Sequence, residues 1–108
     1  MEGKMQNFGD IMGQVRSMQE RMTKIQEELS RRTVTATSGG GMVTVVCTGK
    51  QEIVSISVEK AVIDPEEPEM LQDLVLTAVN ESLRLSRDMM AQEMSALTGG
   101  MNIPGLSF

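Results

Sequence analysis

A segment of alternating residues in the middle of the chain most constrains its fold. From Thr33 to Val58, apolar and polar side chains alternate with a period of two in three short runs, and glycine-containing breaks separate the runs. This period predicts β-strands, and breaks of this length predict hairpins. We therefore expect a three-stranded antiparallel meander. Because long helical patterns flank it on both sides, the predicted fold class is α+β, in the order α-β-β-β-α, with the sheet as an assembly platform.

The segment before the sheet predicts a long helix, from about Asn7 to Arg32. A repeat of about 3.5 residues favours packing along another helix, so part of this helix should project from the sheet. The residues that follow this repeat are Phe8, Ile11, Val15, Met18, Met22, Ile25 and Leu29. On the polar side, acids precede bases by four residues in three predicted pairs, which are Glu20–Lys24, Glu27–Arg31 and Glu28–Arg32.

A second long helix is predicted from about Pro68 to Leu97. The preceding turn and the acids at 66, 67 and 69 suit the positive end of a helix, and Gly99 and Gly100 end it. Its apolar residues form two neighbouring stripes that together cover about 200°. Such a width predicts two packing partners, one of them a second subunit.

The length of 108 residues predicts a single domain. Its parts are expected at 1–32 (helix), 33–60 (β-meander), 61–67 (turn), 68–97 (helix) and 98–108 (C-terminal tail). No apolar run approaches the length of a membrane span, and no signal peptide opens the chain, so we expect an intracellular protein with no membrane partner.

The chain lacks the residues of common catalytic sites. It contains no His and a single cysteine, Cys47, whose strand position predicts a buried structural thiol. The run Gly39–Gly41 joins two strands, so it predicts a turn with positive φ or a close backbone approach rather than a phosphate cradle. The acids around Pro68 are explained by the helix start rather than by a metal. We expect no catalytic residue, no metal, no cofactor and no small-molecule substrate, hence a non-enzymatic protein.

The charge is unevenly distributed. The net charge is −5, which opposes general attraction to nucleic acid, but residues 1–32 carry +1 and residues 61–108 carry −6. An anion-binding surface should therefore lie in the first third. Lys4, Arg16 and Arg21 have no acid four residues before them and are its freest bases.

Several segments in order along the chain resemble the YbaB/EbfC family of small bacterial nucleoid-associated proteins. They are M-Q-E at 18–20, Q-E-E-L at 26–29, S-G-G-G-M-V-T-V at 38–45, Gly49, L-Q-D-L-V at 71–75, A-V-N at 78–80, T-G-G at 98–100, P-G-L at 104–106 and Phe108. The resemblance covers nearly the whole chain. It implies a homodimer formed through the sheets with helices that project like tweezers. It also implies double-stranded DNA as partner, a role in nucleoid organisation or gene regulation, and a cytoplasmic, nucleoid location.

Two functions remain open from the sequence. The first is DNA binding through helix-borne bases on phosphates, with the site residues Arg16, Arg21, Lys24, Arg31, Arg32 and Lys4, and with Arg84 and Arg87 as secondary candidates. The alternative is a prefoldin-like coiled-coil chaperone or protein-interaction scaffold, because methionine-rich apolar stripes on long helices also suit the binding of other chains.

Overall fold

The structure, a computed structural model, describes the backbone of residues 2–98 and the side chains of residues 9–97. Its elements are α1 (Glu2–Arg31), β1 (Thr33–Ser38), β2 (Val43–Thr48), β3 (Ile53–Val58) and α2 (Pro68–Thr98). The predicted order is confirmed. The start of α1 at Asn7 was wrong by five residues, because the preceding segment contains good helix formers and no proline. The predicted tail lies outside the described residues.

The three strands form one antiparallel sheet in the order β1-β2-β3. In its central rows Val45 lies between Ala36 and Ile56. A bulge between Val46 and Cys47 shifts the pairing with β3. The alternation therefore places Val43, Val45 and Cys47 on one face, and all three are fully buried, as expected for Cys47.

Helix α2 covers this face over β1 and β2 rather than over β3. Its contact side carries Ala78, Ser82 and Ser86, all fully buried. Small side chains allow a close approach of helix and sheet, and both serine hydroxyls are satisfied. Ser82 donates to Val79 O at 2.8 Å, and Ser86 donates to Thr48 O at 2.7 Å. The apolar pattern did not reveal these serines as core residues.

The turn between β1 and β2 requires glycine. Gly39, Gly40 and Gly41 have φ values of 61°, 67° and 96°, a region that favours glycine. A Cβ atom on Gly39 would also lie 3.0 Å from a methyl carbon of Leu74. Beside it, the Ser38 hydroxyl donates to Leu74 O at 2.6 Å. The expected conformational need for glycine is confirmed, and the turn is held against α2.

Helix α1 joins the sheet through a small junction around Gly49. The N–H group of Gly49 donates to Leu29 O at 2.9 Å and to Arg32 O at 3.0 Å. The Leu29 side chain is fully buried there. The described molecule measures 78 × 27 × 16 Å along its principal axes. Since α1 has 30 residues, it is about 45 Å long, and most of it projects from the sheet. Within residues 2–98, neither helix combines the length and the apolar character that a membrane crossing needs.

Candidate nucleic-acid interface

The projecting part of α1 presents basic side chains to solvent. Arg16, Arg21, Lys24 and Arg31 are all exposed. At 100° per residue they fall within an arc of about 140°, roughly opposite the apolar stripe of the same helix. Among the described side chains, none of the four forms an ion pair within 4.0 Å. The side chain of Lys4, the sixth predicted site residue, lies outside the described residues.

The predicted ion pairs along α1 do not form among the described side chains. Arg32 instead pairs with Glu93 of α2, with 2.6 Å between Nη1 and Oε1. The Glu28–Arg32 prediction was wrong because α1 ends at Arg31, so Arg32 lies beyond the helix and its side chain can turn toward α2. The other two predicted pairs are exposed, and such pairs contribute only about 0.3–0.5 kcal/mol.

The hairpin between β2 and β3 places a further basic residue near the end of α1 that meets the sheet. Gly49 is hydrogen-bonded to Arg32, and the N–H group of Gln51 donates to Ser86 Oγ at 3.2 Å. Lys50 therefore lies in a turn that is hydrogen-bonded to both α1 and α2, and both Lys50 and Arg87 are exposed. Sequence reasoning gave Arg87 second rank and missed Lys50. The turn G-K-Q exposes a lysine, but its neighbours depend on tertiary contacts.

Arg84, a secondary candidate, is engaged by two acids of its own helix. Its Nε donates to Glu81 Oε2 at 3.0 Å, and its Nη1 donates to Asp88 Oδ2 at 2.9 Å. The hydrogen bonds from Arg84, together with its charge, hold the pKa of the Glu81 carboxyl below its ordinary value. The same hydrogen bonds and the charges of both acids raise the pKa of Arg84. Arg84 is thus less available to an external anion than Arg87.

The acids at the start of α2 do not form a metal site in this structure. Glu66, Glu67 and Glu69 line a shallow surface hollow with Pro68 and Met70. Across the described part of the chain, no group of three or more Asp, Glu, Cys or His side chains is placed to hold a metal ion. Glu69 lies in the first turn of α2, where negative charge is favourable.

A small α+β protein that presents unpaired bases on a projecting helix belongs to the class of proteins suited to binding an extended polyanion. The comparisons with known proteins identify the family. The chain belongs to the YbaB/EbfC DNA-binding family, whose model matches residues 4–101.

Relatives of similar length carry a consistent name. A nucleoid-associated protein of Syntrophobacter fumaroxidans is 55% identical over 95 residues, covering 88% of this chain and 86% of that protein. A nucleoid-associated protein of Desulforamulus reducens is 57% identical over 100 residues, covering 93% and 95%. The crystal structure of the uncharacterized protein HP0035 from Helicobacter pylori has a similar fold, with a TM-score of 0.62 and 23% identity over 72% of this chain and 90% of that chain.

Proposed function

We propose that this protein binds double-stranded DNA as a homodimer and acts in nucleoid organisation or gene regulation, without catalysing a reaction. Family membership supports DNA as the partner, and the names of the relatives support a nucleoid location. The observation that carries the proposal is the set of unpaired bases on the projecting part of α1. Phosphate contacts of this kind give affinity and strong salt dependence but little base readout.

An uncovered apolar surface supports the homodimer. Ile56 lies opposite the buried Val45, on the same face of the sheet, yet it is 48% exposed because α2 does not cover β3. On α2, Leu76 is 59% exposed, and the half-buried Val79 lies beside it. We call Ile53, Ile56, Leu76 and Val79 the uncovered apolar surface. Apolar patches of this kind mark interfaces.

The edge of β3 supports the same arrangement. Among residues 2–98, no strand lies beside its outer backbone N–H and C=O groups. An exposed apolar edge strand invites pairing with another chain. Antiparallel pairing of two copies through β3 would form a six-stranded sheet with both α2 helices on one face. That arrangement would cover Ile56 and bring the two Leu76 side chains toward a shared interface.

The proposed DNA-contact surface combines two groups of bases. The first is Arg16, Arg21 and Lys24 along α1. The second group consists of exposed basic residues near the sheet end of that helix, Arg31 on α1, Lys50 in the hairpin and Arg87 on α2. Arg32 joins them when it exchanges Glu93 for a phosphate. Lys4 stays a predicted member of the first group. Acids such as Glu20 and Glu28 lie on the same side of α1 and repel phosphate, so we expect moderate affinity.

A variant of the uncovered apolar surface tests the dimer. Leu76→Glu adds a charge at its most exposed residue, and Val15→Glu adds the same charge to the apolar stripe of α1. Sedimentation equilibrium of the unaltered protein should give twice the chain mass of 11.8 kDa. We expect Leu76→Glu to shift the molecule to monomer and Val15→Glu to leave the dimer intact. A monomeric parent protein, or a dimer lost only in Val15→Glu, would contradict the proposed interface.

The apolar stripe of α1 is the observation that favours the alternative function, a chaperone or scaffold. Its distal residues Ile11, Met12 and Val15 are exposed, as a surface for client chains would be. Competition and aggregation assays distinguish the two functions. A labelled duplex bound by the protein should be released by unlabelled duplex and by added salt. Suppression of client aggregation without any binding to duplex at low salt would favour the scaffold.

A further inference from the structure

The apolar stripe of α1 is covered only near the sheet. Leu29 is fully buried, and Ile25 is half-buried. Farther out, the exposed fraction rises through Met22 (38%) and Val15 (47%) to Ile11 (56%). The repeat of about 3.5 residues runs through all five positions, and such a repeat is stable in water when a helix with the same repeat covers it. Among residues 2–98, no helix covers the distal part of the stripe.

Helix α2 occupies the sheet end of the stripe. A terminal carbon of Leu29 and one of Met89 both lie 2.9 Å from the place that a Cβ atom on Gly49 would take, so these two side chains meet there. The ion pair between Arg32 and Glu93 lies beside this junction. A further helix can therefore pair with the stripe only on the distal side of the junction.

The distal part of the stripe has a short uncharged centre. The three most exposed apolar side chains of α1 lie here, in segment 11–15, and they are Ile11, Met12 and Val15. The segment contains no ionisable residue. The positions that flank the seam of a coiled coil are commonly charged, but here they are Met12 and Gln14. A second copy of the same segment therefore meets apolar side chains and no like charge.

We propose that the distal part of the α1 stripe is a self-association surface, on which α1 of another copy lies in the antiparallel direction and crosses at about Gly13. In this register Ile11 of each copy lies level with Val15 of the other. A parallel partner would need the stripe at Leu29, which α2 of each copy already occupies. An antiparallel partner avoids α2, because its own sheet lies at the far end of the pair.

The size of the contact predicts weak association. Two crossing helices, each about 10–12 Å wide, bury less than the roughly 1,200 Å² at which stable interfaces begin. Sedimentation at micromolar concentration should therefore still give the mass of the proposed β3-linked dimer. The α1 contact would join such dimers when copies are concentrated, because each chain then carries two different self-complementary surfaces.

The antiparallel pair leaves basic residues of the proposed DNA-contact surface open. Arg16 and Lys24 lie on the side of α1 away from the stripe, so both stay exposed when two stripes pack together. The proposal rests neither on DNA binding nor on the β3 interface, because a single helix carries the whole surface. A failure to bind duplex would leave its tests unchanged.

Disulfide trapping tests the surface. Chains with Ile11→Cys are mixed with chains with Val15→Cys in a glutathione buffer, and the products are identified by mass spectrometry. Cys47 is fully buried and does not compete. We expect the mixed disulfide at a yield at least tenfold above that of Gly13→Cys alone, the matched control at the same level on the opposite side of α1. Equal yields would overturn the proposal.

A single variant tests the direction of the pair. In the antiparallel register, the two copies of residue 22 lie about 27 Å apart along the helix axis. We therefore expect no disulfide from Met22→Cys alone. A parallel pair would bring the two thiols level, and a high yield from this variant would overturn the antiparallel arrangement.

Two additions to the trapping variants separate this surface from the β3 edge and from chance collisions. Leu76→Glu in both chains alters the proposed β3 interface and should leave the disulfide yield unchanged, and loss of the disulfide would overturn a separate surface. Met12→Ser in both chains removes apolar contact area and should lower the yield about tenfold. Ser17→Ala, away from the stripe, is its matched control, and equal yields with these two substitutions would also overturn the proposal.

Discussion

Gly49→Ala perturbs the junction that fixes α1 to the rest of the molecule. The added Cβ atom would lie 2.8 Å from the carbonyl oxygen of Leu29, as well as 2.9 Å from side-chain carbons of Leu29 and Met89. Side chains can move, but the carbonyl belongs to the last turn of α1. The helix must therefore shift, and the shift weakens the two hydrogen bonds that the Gly49 N–H group donates.

The size of the effect follows from these contacts. Overpacking of this kind costs about 1–3 kcal/mol, and the weakened hydrogen bonds cost about 0.5–1.5 kcal/mol. Together these contributions should lower the free energy of unfolding by about 1.5–4.5 kcal/mol. For a domain of this size, each kcal/mol lowers Tm by roughly 4–8 °C. Thermal unfolding followed by circular dichroism measures the change, at one protein concentration because dimerisation makes Tm concentration-dependent.

Gly13→Ala is the matched control. Gly13 lies in the exposed part of α1, and a Cβ atom there would meet nothing within 4 Å. The same substitution should stabilise the helix there by up to about 1 kcal/mol, because alanine has the higher helix propensity. If Gly49→Ala is as stable as Gly13→Ala, the Gly49 junction does not hold α1 in place.

Three further experiments test the packing. Gly39→Val should lower the free energy of unfolding by about 2–4 kcal/mol, because valine disfavours the φ of 61° and meets Leu74; Gly40→Ala, with open space around it, should cost less in the same denaturation assay. Ser86→Ala should cost about 0.5–1.5 kcal/mol for each of the two hydrogen bonds that the Ser86 hydroxyl forms with Thr48 O and the Gln51 N–H group, which keep their bond to each other, and an unchanged urea midpoint would argue against this contact. A thiol reagent should modify Cys47 at the rate of unfolding rather than at the rate of a free thiol, because the side chain is fully buried.

Much of the fold could be predicted because its signals are local. The alternation from Thr33 to Val58 determines which side chains share a face of the sheet, and the glycine run determines the place of the first turn. The two stripes of α2 correctly separated a sheet-facing side, with Ala78 buried, from a second side on which Leu76 is exposed. Each of these features depends on residues that are neighbours in sequence.

The features that escaped sequence reasoning depend on tertiary contacts. Ser86 is buried because α2 approaches the hairpin closely, and an apolar pattern does not mark a serine as a core residue. Arg32 pairs with a residue 61 positions away rather than with its neighbour Glu28. The hairpin that carries Lys50 is held against α2 by the hydrogen bond from Gln51 to Ser86, which joins residues 35 positions apart. The candidate site could therefore be predicted in part, from the residues of α1. The place of Lys50 near the sheet end of that helix had to be found in the structure.

The salt dependence of duplex binding tests the central claim most directly. The affinity of the parent protein is compared with the affinities of two double variants. Arg16→Gln/Arg21→Gln is the α1 variant. Lys60→Gln/Arg84→Gln is the control, because it loses the same two positive charges from residues outside the proposed surface. The plot of log affinity against log salt should be steep for the parent protein and the control. In the α1 variant the slope should become shallower by about 0.9 for each phosphate that the protein no longer neutralises. Equal slopes for all three proteins, or no binding by the parent protein at low salt, would contradict DNA binding through α1.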